Sequence, residues 1–534
     1  MSQIDLRSGA EAGPLAEDSA VGAASDASPT SRGRLSDSAL VAPAIAVVGG
    51  LLTALAFPKT NASWLAPVGM TAIFWAWFGS TPKRALWRGW AAGFAFFCVT
   101  LSWTGETAGK LIAPFGFLLV AGPAVAEGLL GFGLAGALVA LLERRARPEL
   151  FPAGAAALFA LCEWVRSEGL GELGMPFAAL GYTQVATPFG PLASYAGTFG
   201  VTFALCLPAA YVAYALRNGW SGVARSAPAC AALLLATLTA AWWFWPARSA
   251  APATTRVAAV QGNIAQSLKF KPEIFALTLR RYTSLTRVTR GYAPVFVLWP
   301  ETVITAAINR TPWLERGFGA LARSLHTTIV AGGFFEDGDR VFNALYFFGP
   351  SGRLQATYEK RQLVPFAEHL PFAPALRWIP WARNVSDIGT GRWNGVGDAG
   401  GVRVGPIICW ESAFSNLAVD DVRSGAQALL IATDDAWFGT TGGPYQHAQI
   451  AQMRALETGR WIVRAAATGI SGIIAPDGRY TRSAKLETAG VVTGEIGPPV
   501  DTFYDRVGSI AIAAVLAAFV LGIATWARPS KSAA

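Results

Sequence analysis

The chain has 534 residues, enough for two or three domains, and 53% of them are hydrophobic against only 14% charged. Soluble domains carry about 25% charged residues, so this composition, with a mean hydropathy of +0.38, excludes an ordinary water-soluble protein. The formal charge of +9 does not point to nucleic acid, because Lys and Arg are scattered between apolar spans rather than gathered in one patch.

Residues 1–38 are rich in Ala, Ser, Gly and Asp, lack an apolar core and are expected to be a disordered tail. No apolar run near the start reads as a signal peptide. Apolar spans then follow at 39–57, 62–79, 89–104, 115–142, 150–165, 191–216 and 227–246, with an eighth at 507–527. Basic residues follow the even-numbered spans: Lys83, Arg84 and Arg88; Arg144, Arg145 and Arg147; Arg217 and Arg225; Arg528 and Lys531. If the spans alternate, these residues share one side. The positive-inside rule makes that side cytoplasmic, together with both termini and the tail 528–534. Segment 247–506 is then extracytoplasmic.

That segment changes character. Strands are predicted at 256–260, 295–299, 328–335, 341–348, 402–408, 428–433, 462–467, 472–474 and 491–496, with helices near 272–290, 312–324, 414–424 and 445–459. GPSG at 349–352 and APDG at 475–478 are turns between strands. Strands alternating with helices predict a layered α/β domain.

Four of the five cysteines (Cys98, Cys162, Cys206 and Cys230) sit in apolar spans as packing residues, and no Cys/His spacing suits a metal. Cys409 alone lies in the α/β segment, at the end of the run VRVGPII. A thiol facing a helix N-terminus is expected to have a lowered pKa. Glu301 ends the apolar run VFVLWP, and Lys360 lies in the charged stretch TYEKRQ. Taken singly, Cys409 is divided between core packing and nucleophile, Glu301 between a solvated loop carboxylate and a site residue, and Lys360 reads as a surface lysine. Together they form a set. A thiol nucleophile needs a base, here a carboxylate raised toward neutrality in a dry site. It also needs an oxyanion partner, here the lysine and the Trp410 backbone N–H.

LWPET, YEKRQLVPFAEHLPF and GPIICWES resemble the three catalytic blocks of the nitrilase (carbon–nitrogen hydrolase) superfamily, as do VAAVQGNI and ATDDAWFG. The resemblance implies an αββα sandwich with Glu301 as general base, Lys360 as oxyanion stabiliser, Cys409 as nucleophile and Glu368 as a second carboxylate. GLLTALAFP, CEWVRSEG and PFAALGYTQ, with the arrangement of spans, resemble the apolipoprotein N-acyltransferase family of bacterial inner membranes. That resemblance adds Glu411, Trp410 and Asn343 to the site. It implies a ping-pong transfer from a phospholipid, the sn-1 chain of phosphatidylethanolamine, through a Cys409 thioester. The acceptor is the α-amine of a diacylglyceryl-cysteine on an apolipoprotein. A monomer with no cofactor and no metal is expected. Phe270 after QSLK stands where such proteins commonly carry Trp, which removes an indole N–H.

LPFAPALRWIPWARNV, with Trp378 and Trp381, reads either as a packed loop or as a lid that dips into lipid. Gly439, Gly442 and Gly443 read as a turn or as a mobile loop over the site. His326 and His447 are expected on ordinary helix surfaces, while His369 neighbours Glu368. Glu106, Glu127, Glu163 and Glu168 lie in or beside apolar spans, and Glu163 with Arg166 suggests a structural i,i+3 pair. Two rival readings are a membrane-tethered amidase with water as acceptor and a receptor or transporter with a degenerate hydrolase domain.

Overall fold

The computed structural model of the protein describes residues 40–111, 118–246, 251–379, 383, 385–392 and 395–526. The tail 1–38, the segment 528–534 and Trp381 lie outside the described residues. Every apolar span contains a helix: Val41–Ala54, Leu65–Trp77, Pro82–Thr100, Val120–Glu143, Phe151–Trp164, Ala193–Asn218, Ser226–Trp243 and Tyr504–Thr525. Among the described residues, four of them are long and apolar enough to cross a membrane: those from Val120, Ser226 and Tyr504, and the run Gly190–Asn218. Val41–Ala54 and Leu65–Trp77 are apolar but shorter. Length and composition therefore carry four spans, not the expected eight. The third helix begins seven residues before its apolar stretch, at Pro82, because the Thr81 hydroxyl caps it by accepting from Arg84 N at 3.3 Å.

Small residues set the helix packing. A Cβ on Gly50 would lie 2.1 Å from the Ala92 carbonyl oxygen, and one on Gly69 would lie 2.2 Å from Thr53 Oγ1. The first three helices thus touch backbone to backbone, which suits helices that gain little from burial against lipid.

The α/β domain has strands β1 (Thr255–Gln261), β2 (Phe296–Leu298), β3 (Ile304–Ala307), β4 (Thr328–Asp337), β5 (Arg340–Phe348), β6 (Leu354–Glu359) and β7 (Gly397–Ala399). There follow β8 (Val402–Ile408), β9 (Ala428–Thr433), β10 (Trp461–Ala466), β11 (Gly472–Ile474), β12 (Tyr480–Ser483) and β13 (Gly490–Ile496). One sheet runs β13-β1-β2-β4-β5-β6 with β3 beside β4; the other runs β12-β11-β10-β9-β8-β7. Their facing sides interdigitate: Val257, Leu298, Val330 and Phe347 meet Val404, Leu430, Val463 and Ile473. Tyr282, Leu314 and Phe318, from helices Pro272–Val288 and Pro312–Leu325, cover the outside of the first sheet. Ala418, Val422, Ala451 and Ala455, from helices Ser415–Arg423 and Gly443–Thr458, cover the second. The result is the expected αββα sandwich.

Strands β1, β2 and β4 are parallel, as are β8, β9 and β10. Strand β6 regains the direction of β4 through two antiparallel pairings. Residues just past β2, β6, β8 and β9 therefore emerge at strand C-termini, where α/β sites collect. The helical part does not stop at this sandwich. Trp410, Ala413, Phe414, Phe438, Ile450 and Met453 belong to the same buried apolar cluster as the membrane helices.

Candidate active site

Glu301, Lys360 and Cys409 follow β2, β6 and β8 and are brought together. The Lys360 ammonium is 3.0 Å from Glu301 Oε1 and 2.9 Å from Glu368 Oε1, with the lysine 1% exposed. The surface-lysine reading therefore fails. Asn343 Nδ2 donates to Glu301 Oε1 at 2.7 Å and to Glu368 Oε1 at 3.2 Å. The second oxygen of Glu301 accepts from the Asp434 backbone N at 2.9 Å. On the far side of Asp434, Lys269 Nζ donates to Asp434 Oδ2 at 2.5 Å and to Thr302 Oγ1 at 2.7 Å. Gly332 admits this arrangement. A Cβ there would stand 2.2 Å from the Pro300 carbonyl oxygen and 2.9 Å from Glu301 Cα.

The electrostatics reverse two expectations. Burial pushes the Glu301 carboxyl up, but Lys360 and Lys269 outweigh it and hold the group below its ordinary value. The Glu301 carboxylate is thus favoured over the neutral acid, against the expectation of a carboxyl raised toward neutrality. Burial also works against the Lys360 charge, yet Glu301 and Glu368 keep its pKa well above the usual lysine value. Burial and then the Glu301 charge push the Cys409 thiol well above its ordinary value, while Lys360 and a hydrogen bond with Thr433 oppose them. This is the reverse of the lowering expected for a thiol facing a helix N-terminus. Desolvation dominates, and the residues after Cys409 form a tight 3-10 turn, Cys409–Ala413, before helix Ser415–Arg423 begins.

Cys409 itself has φ +51°, a left-handed conformation that a non-glycine residue holds only when its surroundings impose it. Glu411 supplies part of that constraint. Its carboxylate accepts from Ile408 N at 2.6 Å, Arg361 N at 2.6 Å, Gln362 N at 3.1 Å and Tyr358 OH at 2.9 Å. It staples the Cys409 turn to the Lys360 strand end. Trp410 is buried and stacks on Phe177 of the helical part, ring centroids 5.2 Å apart and 15° between planes. Tyr182 OH donates to the Ala413 carbonyl at 3.3 Å. Glu168 accepts from Ser415 N at 2.9 Å and Ser415 Oγ at 2.6 Å. The turn is gripped from both parts of the chain.

Other candidates fall elsewhere. Phe270 is 54% exposed, with Lys269 Nζ 5.6 Å from its ring centroid. Trp378 is 73% exposed on the segment beside a cavity of about 650 Å³ lined by Leu363, His369, Leu370 and Arg377. The Gly439 loop is packed, because Phe438 meets Trp103 at 4.7 Å and Thr107 Oγ1 donates to the Trp437 carbonyl at 3.1 Å. Arg166 pairs with Glu127 at 3.2 Å, while Glu163 accepts from Thr202 Oγ1 at 2.6 Å and Leu180 N at 2.8 Å. His326 is exposed, as expected. His447 is not on a surface. It is 0% exposed, because helix Gly443–Thr458 is packed between the second sheet and the membrane helices. Sequence reasoning missed Lys269, Asp434, Asp435 and His447. The signal available was the acidic pair directly after the buried strand LLIAT.

Residues 256–500 match the carbon–nitrogen hydrolase family model, and residues 49–211 match that of the apolipoprotein N-acyltransferase N-terminal domain. The chain is 32% identical to an apolipoprotein N-acyltransferase of Photobacterium profundum, over 87% of its own length and 91% of that relative. This chain belongs to the apolipoprotein N-acyltransferase family. A relative of the same name in Geobacter metallireducens is 32% identical over 91% of this chain and 95% of its own. Among solved structures, an amidase from Nesterenkonia sp. overlays 50% of this chain and 98% of its own at 15% identity and a TM-score of 0.37. Family membership favours an acyltransferase over the amidase and the receptor readings.

Proposed function

We propose that this protein transfers an acyl chain from a phospholipid to the α-amine of a diacylglyceryl-cysteine at a lipoprotein N-terminus, through a thioester on Cys409. The observation that carries the reading is the convergence of Glu301, Lys360 and Asn343 beside a cysteine held in a left-handed turn. Cys409 Sγ attacks the ester carbonyl as its proton passes to Glu301. Lys360 and the Trp410 N–H take up the oxyanion charge. The carbon–oxygen bond breaks, and the lysophospholipid alcohol leaves with the proton. The acceptor amine then attacks the thioester, its proton passes to Glu301, and the thiol is re-formed. Splitting one acyl transfer into two lowers each barrier, and the buried site restrains hydrolysis of the thioester. Glu368 holds Lys360, and Glu411 holds the turn.

The topology follows the same reading. Gly79 N donates to Glu143 Oε2 at 2.7 Å, Arg217 Nη1 donates to the Trp75 carbonyl at 3.1 Å, and Arg147 lies 4.9 Å over Trp526. These contacts gather the ends of the second, fourth, sixth and eighth helices at one end of the bundle. They support eight spans with the basic loops and both termini in the cytoplasm, and domain 247–506 on the periplasmic side of the inner membrane. The protein acts as a monomer. The stretch 370–385, with Trp378, acts as a lid on the lipid surface.

Intact-protein mass spectrometry after incubation with phosphatidylethanolamine tests the chemistry. The expected result is a gain of one acyl group, removed by hydroxylamine and absent in Cys409→Ser. No adduct, with a diacylated lipopeptide also left unmodified, would refute the proposal.

A further inference from the structure

Behind the Cys409 turn lies a polar chain that the chemistry above does not use. His447 Nε2 is 3.1 Å from the Cys409 carbonyl oxygen and 2.8 Å from Ser412 Oγ. Its Nδ1 is 2.8 Å from Asp435 Oδ1, and Asp435 Oδ2 accepts from Arg464 Nη2 at 2.8 Å. Arg464 is anchored in turn on the Ile470 carbonyl at 2.6 Å. His447, Asp435 and Arg464 are all 0% exposed. The imidazole also lies among rings, its centroid 5.8 Å from that of Phe177 and 6.0 Å from that of Phe438.

Burial alone does not account for this chain. Apolar residues of similar volume often stabilise a core as well as a desolvated ion pair does, or better. The network has a specific target, the backbone of the nucleophile. A left-handed non-glycine residue costs about 1–3 kcal/mol and persists only where its surroundings over-determine it. Ser412 Oγ donates to the Cys409 carbonyl at 2.8 Å, and His447 reaches the same carbonyl from helix Gly443–Thr458. A carboxylate and a carbonyl only accept, so both ring N–H groups donate, Nδ1–H to Asp435 and Nε2–H to the Cys409 carbonyl. Burial pushes the Asp435 carboxyl up, but Arg464 and His447 outweigh it and hold it well below the usual carboxylate range. Thr433 Oγ1 donates to the same Asp435 oxygen at 2.9 Å, so the carboxylate that orients His447 is itself held by the strand end before it.

We infer that His447, oriented by Asp435 and Arg464, is a positioning residue that grips the Cys409 carbonyl and aims the thiol at the acyl donor. The inference rests on Cys409 being the nucleophile. It predicts a defect in the first half-reaction that is separable from lipid binding and from folding.

The test is single-turnover acylation of the full-length enzyme by phosphatidylethanolamine in detergent, read as the hydroxylamine-sensitive mass gain. His447→Ala is expected to slow acylation by about 100-fold, the scale of a 1 Å misplacement, with the KM for donor changed less than about threefold. His447→Gln, whose amide can donate to the same carbonyl, restores most of the rate. Ser412→Ala, which removes the second donor, slows acylation by roughly tenfold. Folded His447→Ala acylating at the wild-type rate would overturn the inference. So would a loss confined to KM, or a Gln variant as slow as the Ala variant. If His447→Ala does not fold, a wild-type rate in Ser412→Ala overturns it instead. An adduct absent from the wild type would overturn the nucleophile reading itself, whereas equal rates in the wild type and His447→Ala overturn only this inference.

Discussion

Replacing Glu411 by Gln puts an amide nitrogen where a carboxylate oxygen now accepts, at a buried group serving four donors: Ile408 N, Arg361 N, Gln362 N and Tyr358 OH. The better amide orientation keeps its oxygen toward Arg361 and Gln362 and turns the NH2 group toward Ile408 N–H. One buried backbone donor then loses its partner, at about 1–3 kcal/mol, and the remaining bonds lose their charge assistance. Relief of the buried charge offsets part of this, because burial already pushes the Glu411 carboxyl up. The net cost is about 2–3 kcal/mol, or roughly 5–10 °C in apparent Tm for a domain of this size. Glu411→Ala strands all four donors at roughly 4–8 kcal/mol, comparable with the whole stability of a typical domain, and is expected not to accumulate as folded protein. Thermal unfolding in detergent, paired with single-turnover acylation, checks both variants. The Gln variant is expected to melt lower and acylate slowly, since Glu411 joins the Lys360 strand end to the Cys409 turn. A Gln variant that melts and acylates like the wild type would refute the clamp.

Glu301→Gln removes a charge that raises the Cys409 thiol pKa, so iodoacetamide is expected to alkylate Cys409 faster at pH 8 although acyl transfer is lost; Lys360→Met should slow alkylation. Glu301 and Asp435 are both held below their ordinary values, so their folded-state pKa values lie beneath the unfolded ones. Their stabilisation is complete above about pH 4–5 and is lost as pH falls through the folded values. Lys360→Met, which strips Glu301 of its main partner, should therefore lower Tm at neutral pH and flatten the acid limb of a Tm–pH curve, and an unchanged limb would contradict the ion pair. Gly332→Ala drives a methyl to 2.2 Å from the Pro300 carbonyl and should displace Glu301, with acylation lost before the fold, as read by rate and Tm together. Trp378→Ser should raise the KM for phospholipid vesicles by about tenfold, or about 1.4 kcal/mol, just under the low end of the range for fully burying a large apolar side chain; an unchanged KM removes Trp378 from the lipid surface.

Central parallel strands were legible because they are buried on both faces and read as unbroken apolar runs, as in VFVLW and ALLIA. Strand β6 was not. As the edge of its sheet it buries one face only, and LQATYE runs straight into a charged stretch. Lys360 therefore looked like a surface lysine, and only the partners brought by β2 and the 364–369 loop make it a buried one. His447 was misread for a related reason. Helix Gly443–Thr458 is rich in Gln, His, Arg and Glu, a solvated face by pattern, yet it is covered on two sides and its polar groups answer one another. Local period reports one buried face and is blind to a second partner from a distant part of the chain. Each apolar span holds a helix, but the third begins seven residues before its span, and among the described residues length and hydropathy carry only four membrane spans.

The pKa directions at the site say how its reactivity is gated. If Cys409 and Glu301 act as proposed, a thiol pushed up by burial and a carboxylate held down beside Lys360 make proton transfer between them uphill at rest. The approach of an acyl carbonyl changes both partners. Developing oxyanion charge draws on Lys360, Glu301 loses part of the field that depressed it, and its affinity for the proton rises as the new bond consumes the thiolate. A small electrophile that builds no oxyanion meets a neutral, buried thiol instead. Wild-type Cys409 should thus react sluggishly with iodoacetamide at pH 7 and faster only above the ordinary thiol value of about 8.5. Under the same conditions a phospholipid ester should acylate it readily. Alkylation already maximal at pH 7 would mean that the thiolate pre-exists and that the acyl donor does not switch the base on.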